Sequence, residues 1–206
     1  PQGKMKSREG TVVDADDLIA EMTRTAKETT EALGKTNHFT EEEKSGLYHM
    51  LAMGALKYFI LKVDPKKNML FNPEESIDFN GHTGPFIQYA HARIRSVMRA
   101  ADPAKSSAEK LSLSPDKINE KERRVLKTLH AFPEIIEAAS HELNPATLAN
   151  YLFELAREYN QFYHEYSVLN EPDEELSLFR LKLSALTAQV LQNGMGLLGI
   201  EVPERM

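Results

Sequence analysis

The sequence contains no cysteine. That excludes disulfides and thiolate metal sites, and it fits a reducing compartment. Its seven histidines are scattered, with no pair at metal-ligand spacing, so no metal site is expected. Nor does any serine, histidine and acid trio stand out as nucleophilic machinery. No apolar run reaches the length of a bilayer span, and no charged segment followed by an apolar one opens the chain. A soluble, cytoplasmic protein without a membrane partner is expected. Positive charge is in deficit: 25 Lys and Arg against 31 Asp and Glu leave a net charge of −6. This argues against nucleic-acid binding through an overall basic field, and any RNA site must be a local patch. The 206 residues suffice for one large or two modest domains. They begin in mid-phrase, without an initiating methionine, and read as part of a longer protein.

What is abundant is helical periodicity. Asp14 or Asp16 can cap a helix that keeps Leu18, Ile19, Met22, Ala26 and Leu33 on one face and stops at Gly34. Thr40 and Glu43 have capping-box spacing, ahead of Leu47, Met50, Leu51, Ala55 and Tyr58. Residues 64–81, rich in proline and asparagine, read as a linker with a strand stub from Ser76 to Phe79. The boundary between a segment 1–72 and a segment 73–206 is placed within it. Ala101 to Ser114 reads as an exposed loop, after which Ser114-Pro115 predicts the start of a helix through Leu126 and Leu129. Pro133, Asn144-Pro145 and Asp173 predict three more starts. The helix after Pro145 is the most aromatic, with Tyr151, Tyr159, Phe162, Tyr163 and Tyr166. Apolar spacing alternating between three and four predicts an all-α fold, an antiparallel helix bundle preceded by a helical segment.

Gly84-Pro85 opens the helix around which the rest is organised. Phe86, Ile87, Ala90, Ile94, Val97 and Met98 gather on its apolar side, and His91 at the edge of that side is expected to be a satisfied core histidine. Gln88, Ala92, Arg95 and Arg99 share the other side, which is expected to be exposed. Tyr89 and Arg93 lie on the flank, one turn apart. Guanidinium groups and tyrosines so placed suit RNA, because the one grips phosphate or stacks on a base and the other stacks and hydrogen-bonds at once. Near the C-terminus, Gly194 to Gly199 satisfies GxGxxG literally. No strand precedes it and it ends an apolar helix, so it reads as helix termination and close packing rather than a dinucleotide site.

Three strings carry a resemblance. TGPFIQYAHARI, Thr83 to Ile94, resembles a hallmark at the start of the anticodon-binding domain of arginyl-tRNA synthetases, with Phe86 in place of a common tyrosine. NGMGLLGIEVPERM, Asn193 to Met206, is similar to that family's ending. The opening Lys4, Met5, Lys6, Ser7 and Arg8 resemble the KMSKS loop of class I synthetases, although Lys6 and Ser7 stand where serine and lysine would be expected.

The resemblance implies that residues 1–72 end a catalytic region and that residues 73–206 form a helical domain binding tRNA(Arg) by its anticodon loop. It implies RNA-contacting roles for Gln88, Tyr89, Arg93, Arg95 and Arg99, and a pocket wall at Met206, for which a frayed end is the other reading. Tyr163, in YNQFYHEY, is either a buried ring or a base-stacking one. Lys4 and Lys6 would hold ATP phosphates. The intact family attaches arginine to tRNA using ATP and Mg²⁺, as an enzyme expected to be monomeric. Its Rossmann half, with the HIGH motif, is not in this sequence. The chain alone is therefore expected to bind no cofactor, to be unable to activate arginine, and to be open to self-association. Two rivals remain: a helical protein-interaction module, and the equivalent domain of a related synthetase such as the cysteine enzyme.

Overall fold

The computed structural model describes residues 14–32, 34, 36, 39–69, 72–102 and 113–206. The elements are helices α1 (Ala15–Ala32), α2 (Glu41–Leu61), α3 (Pro73–Ser76) and α4 (Gly84–Ala100), a 3-10 turn (Pro115–Lys117), then α5 (Glu120–His130), α6 (Phe132–His141), α7 (Pro145–Glu165) and α8 (Glu174–Leu197). No strand occurs among the described residues, and the all-α bundle expected from periodicity is what forms.

Local chemistry sets most of the helix ends. Thr40 and Glu43 make the capping box, with Glu43 N–H donating to Thr40 Oγ1 at 3.2 Å and Thr40 N–H to Glu43 Oε2 at 2.7 Å. Asn144 and Asp173 cap α7 and α8 through their side-chain oxygens. Gly34 takes φ +66° just beyond α1, the left-handed conformation that stops a helix. Leu33, expected on the apolar face of α1, lies outside the described residues.

Two expectations need correction. The stub predicted from Ser76 to Phe79 is no strand: Ser76 ends the short helix α3, and Asp78 then accepts from Asn80 N–H in a turn. Four alternating residues without a partner strand cannot satisfy their backbone as a ladder, whereas a helical turn is self-contained. Ser114-Pro115 opens only the 3-10 turn, and Ser114 makes no side-chain cap. The cap of α5 is Asn119, reciprocally bonded with Glu122, because a second and complete capping box lies just downstream.

Helix α7 is central: α4, α5, α6 and α8 all pack on it. Leu152, Leu155, Tyr159 and Phe162 are fully buried there against Ile87 and Ile94 of α4 and Leu191 and Met195 of α8. Each such side chain contributes about 1.5–3 kcal/mol by leaving water. Buried Tyr58 and Tyr159 donate their hydroxyls to Ala149 O and Ser184 Oγ, both at 2.9 Å. A smaller core joins Met22 and Ala26 of α1 to Leu47, Leu51 and Ala55 of α2 and to Ile77, with Met206 packed on its edge.

Close approaches depend on glycine. A Cβ at Gly84 would lie 2.8 Å from the Gly54 carbonyl carbon, so the two glycines let α4 cross α2 almost backbone to backbone. Gly194 gives the same room to Leu152, and Gly199 turns the chain out of α8 at φ +68°. The literal GxGxxG string is thus helix termination and packing, as expected.

Candidate nucleic-acid interface

Thr83 caps α4 by accepting from Phe86 N–H at 3.2 Å, and Gly84-Pro85 starts the helix directly over α2. That crossing decides what happens to Gln88. Its side chain fills the space above Gly54, fully buried, and its Nε2 donates to Met50 O at 3.1 Å and Glu201 O at 2.8 Å. One turn on, buried His91 sits with Nδ1 2.9 Å from Pro203 O. Burial holds its pKa below the usual histidine value, ahead of the smaller opposite pulls of the Pro203 carbonyl and Glu204. Arg95 Nε bonds Glu204 Oε2 at 2.6 Å, and Arg99 Nη1 donates to Glu204 O at 2.8 Å. Lys57 Nζ holds Gly199 O at 2.5 Å. Residues 199–206 are therefore laid along α4 and fastened at almost every turn.

This overturns the expected exposed face at Gln88 and Ala92, while Arg99 is exposed as expected. Gln88 and Ala92 are buried, and the Gln88 amide holds the C-terminal tail at Glu201 O. Arg95 is half exposed and spends its charge on Glu204. Periodicity treats glutamine and arginine as solvent-facing and cannot register that a segment more than a hundred residues downstream returns to cover them. His91, expected to be a satisfied core histidine, is buried, but only Nδ1 is paired, and Nε2 has no hydrogen-bond partner among the described residues.

On the flank of the same helix lies an open concavity of about 520 Å³. Helix α4 contributes Tyr89, Arg93, Ser96 and Arg99, and α7 contributes Tyr163. The fastened tail brings Arg205 and Met206 to it, the connection before α2 brings Phe39, and that after α7 brings Leu169. The Arg93 guanidinium lies 4.7 Å from the Tyr89 ring centre and 5.4 Å from that of Tyr163. Its Nη1 donates to Asn160 Oδ1 at 2.7 Å. Tyr163 stacks on buried Tyr159 at 6.2 Å and 20°, while Tyr89 meets Phe79 edge-on at 6.3 Å. Arg205 lies 5.2 Å from the Phe39 ring centre.

A cation held between two tyrosine rings, with an amide rather than a carboxylate as polar partner, keeps its charge available to an incoming anion. Half-buried aromatic rings beside it offer flat faces to an unstacked base.

Of the residues predicted for RNA, the structure gathers Tyr89, Arg93, Arg99, Tyr163 and Met206 at the concavity, and it leaves Gln88 and Arg95 beneath and beside the tail. Lys4 and Lys6 lie outside the described residues. Phe39, Asn160, Leu169 and Arg205 were missed. Asn160 was within reach, since it stands one helical turn before Tyr163. The other three sit on connections whose positions no periodicity encodes. Among the described residues, no group of three or more His, Cys, Asp and Glu is gathered to hold a metal ion. Among them, too, no helix is long and apolar enough to cross a membrane.

The whole chain is 54% identical over 206 residues to the arginine–tRNA ligase of Bacteroides fragilis and 56% identical over 207 residues to that of Parabacteroides distasonis. It covers 34% of each of them, so it spans about a third of the length of the relatives it matches. Among solved structures it resembles the Thermus thermophilus arginyl-tRNA synthetase, with a TM-score of 0.84 and 32% identity over 99% of this chain and 34% of that one. It also resembles the Plasmodium falciparum arginyl-tRNA synthetase, with a TM-score of 0.78 and 27% identity over 95% of this chain and 34% of that one. The resemblance carried by TGPFIQYAHARI and by the C-terminal string is borne out. A model of the DALR anticodon binding domain matches residues 87–206, more than half of the chain, and the chain therefore belongs to that family.

Proposed function

We propose that this chain is the tRNA-binding C-terminal part of an arginine–tRNA ligase, and that its concavity receives unstacked bases of the anticodon loop of tRNA(Arg). The observation that carries this reading is the Arg93 guanidinium held between Tyr89 and Tyr163 at the mouth of a cavity large enough for a base. Tyr89 and Tyr163 supply stacking surfaces, Arg93, Arg99 and Arg205 meet phosphate or base edges, and Met206 walls the pocket. In an acidic chain these three arginines are the local patch that overall charge could not provide. An Arg and Tyr concavity favours this reading over a protein-interaction module, whose mark would be a broad exposed apolar patch.

Residues 1–72 are proposed as the end of the catalytic region, with Lys4 and Lys6 near ATP phosphates in the intact, monomeric, cytoplasmic enzyme. Among the described residues no group of three or more His, Cys, Asp and Glu is gathered, and Mg²⁺ would enter with the ATP phosphates. ATP and arginine would be bound with the other two thirds of the protein. ATP-dependent arginylation by this chain alone would overturn that division.

The test is a titration with a tRNA(Arg) transcript and with one altered at the central anticodon base, each at two salt concentrations. Tighter binding to the unaltered transcript that persists at the higher salt supports base reading. Equal binding that disappears with salt would reduce the site to phosphate contacts and overturn the proposal.

A further inference from the structure

A heavily charged buried cluster, centred on Arg180, takes no part in the site described above. Arg180 of α8, 4% exposed, donates Nε to Glu122 Oε1 at 2.6 Å, and its Nη1 reaches both Glu171 Oε2 at 2.5 Å and Ser167 O at 2.8 Å. Its guanidinium also lies 5.2 Å from the Tyr166 ring centre. Glu122 is wholly buried and simultaneously closes the capping box of α5. Buried ion clusters are seldom the most stable filling for their space, since apolar residues of equal volume do as well or better. What such a cluster does supply is register.

The segment placed in register here is the connection from α7 to α8. Arg180 grips it at Ser167 and Glu171, and Ser177 Oγ adds a bond to Val168 O at 3.0 Å, where Val168 is itself buried. Between these anchors stands Leu169. It is 37% exposed, a large apolar side chain that the loop does not bury, and it lines the concavity together with Tyr163 and Met206. A leucine fixed on both sides and left open toward a cavity is a prepared apolar surface.

We propose that Leu169 contacts a nucleobase in the concavity, and that Arg180, Glu122 and Glu171 are positioning residues holding the 167–171 segment where that contact is made; this rests on the anticodon-loop reading above. The base would pack one apolar face on Leu169, a contact independent of phosphate charge.

The test titrates the 206-residue chain with an anticodon stem-loop of tRNA(Arg) and with the same stem-loop altered at its central base. Leu169→Ala should weaken binding about fivefold, and Leu169→Met should restore most of it. Because the lost contact is apolar, Leu169→Ala should leave the slope of affinity against salt unchanged. Glu171→Ala, at the more open end of the cluster, loosens the segment without removing the Arg180–Glu122 pair and should weaken binding about threefold. In the Leu169→Ala background that second loss should vanish, since both changes act through one contact. Additive losses, or Leu169→Ala binding like the unaltered chain while that chain still discriminates the two stem-loops, would overturn the Leu169 proposal alone. If the unaltered chain fails to discriminate them, the base-reading function falls and the Leu169 proposal with it.

Discussion

Arg93 and Arg180 are chemically the same group in similar aromatic company, yet the fold uses them in opposite ways. Arg180 lies over Tyr166 with carboxylates from Glu122 and Glu171 on its nitrogens, and 5% of its side chain is exposed. Arg93 lies between Tyr89 and Tyr163 with the neutral amide of Asn160 as its polar partner, at the wall of an open cavity. A guanidinium neutralised by two carboxylates has nothing left to offer an anion. One steadied by rings and an amide keeps its charge. Aromatic stacking therefore does not distinguish an arginine with charge to offer from one already neutralised, and the nature of its polar partner does.

The comparison breaks most visibly at the buried member. Arg180→Ala leaves Glu122 buried without its partner and should cost about 3–5 kcal/mol in urea unfolding. Arg180→Met combined with Glu122→Leu should cost much less, and a mild single variant would show that the cluster is not a buried charge problem at all. Next comes Gln88, whose replacement by Leu leaves tail and α2 carbonyls without their donor. A loss of about 1–3 kcal/mol in stability is expected. A loss of RNA affinity without any loss of stability would return Gln88 to the RNA-contacting role expected from its sequence position.

Arg93→Ala should weaken stem-loop binding by about tenfold while changing stability by less than about 1 kcal/mol, the reverse of the Arg180 pattern. Arg93→Lys should recover little of the affinity, because a point charge cannot lie flat between two rings. The smallest effect concerns His91. Its folded-state pKa is held below the ordinary value by burial, so as pH falls through about 6.5 the unfolded chain takes up a proton that the folded chain refuses. Stability should then fall with pH until the folded-state pKa is reached. His91→Asn keeps a donor for Pro203 O and should flatten that slope, to be read from urea midpoints at about pH 7 and about pH 5. Burial acts on His82 in the same direction, so the difference between the two chains is the quantity to compare.

How far the site was legible depended on how local each signal was. Thr40 with Glu43, Asn144-Pro145, Asp173 and Gly34 each act within a turn of the residues they organise: the first three start a helix and Gly34 stops one, as expected. Ser114 misled because the capping box formed by Asn119 and Glu122 is stronger and lies just beyond it. Tyr89 and Arg93 were correctly paired from i to i+4 spacing. The exposure of Gln88 was misread, and the Glu204 partner of Arg95 went unseen, because a carbonyl and a carboxylate of residues 201–204 come to them from far along the chain.

The sequence by itself determined most of the helices, their apolar stripes and, through its strings, the family. Those signals act over one or two turns, where side-chain spacing and backbone hydrogen bonding are nearly independent of the rest of the chain. Only the tertiary structure decided which polar residues of α4 are covered, which arginine keeps its charge and which connections reach the concavity. Such outcomes depend on Gly54 meeting Gly84, on the tail lying along α4, and on Arg180 holding the 167–171 segment. Each is a contact between residues far apart in sequence, and its energy exists only once the helices have packed.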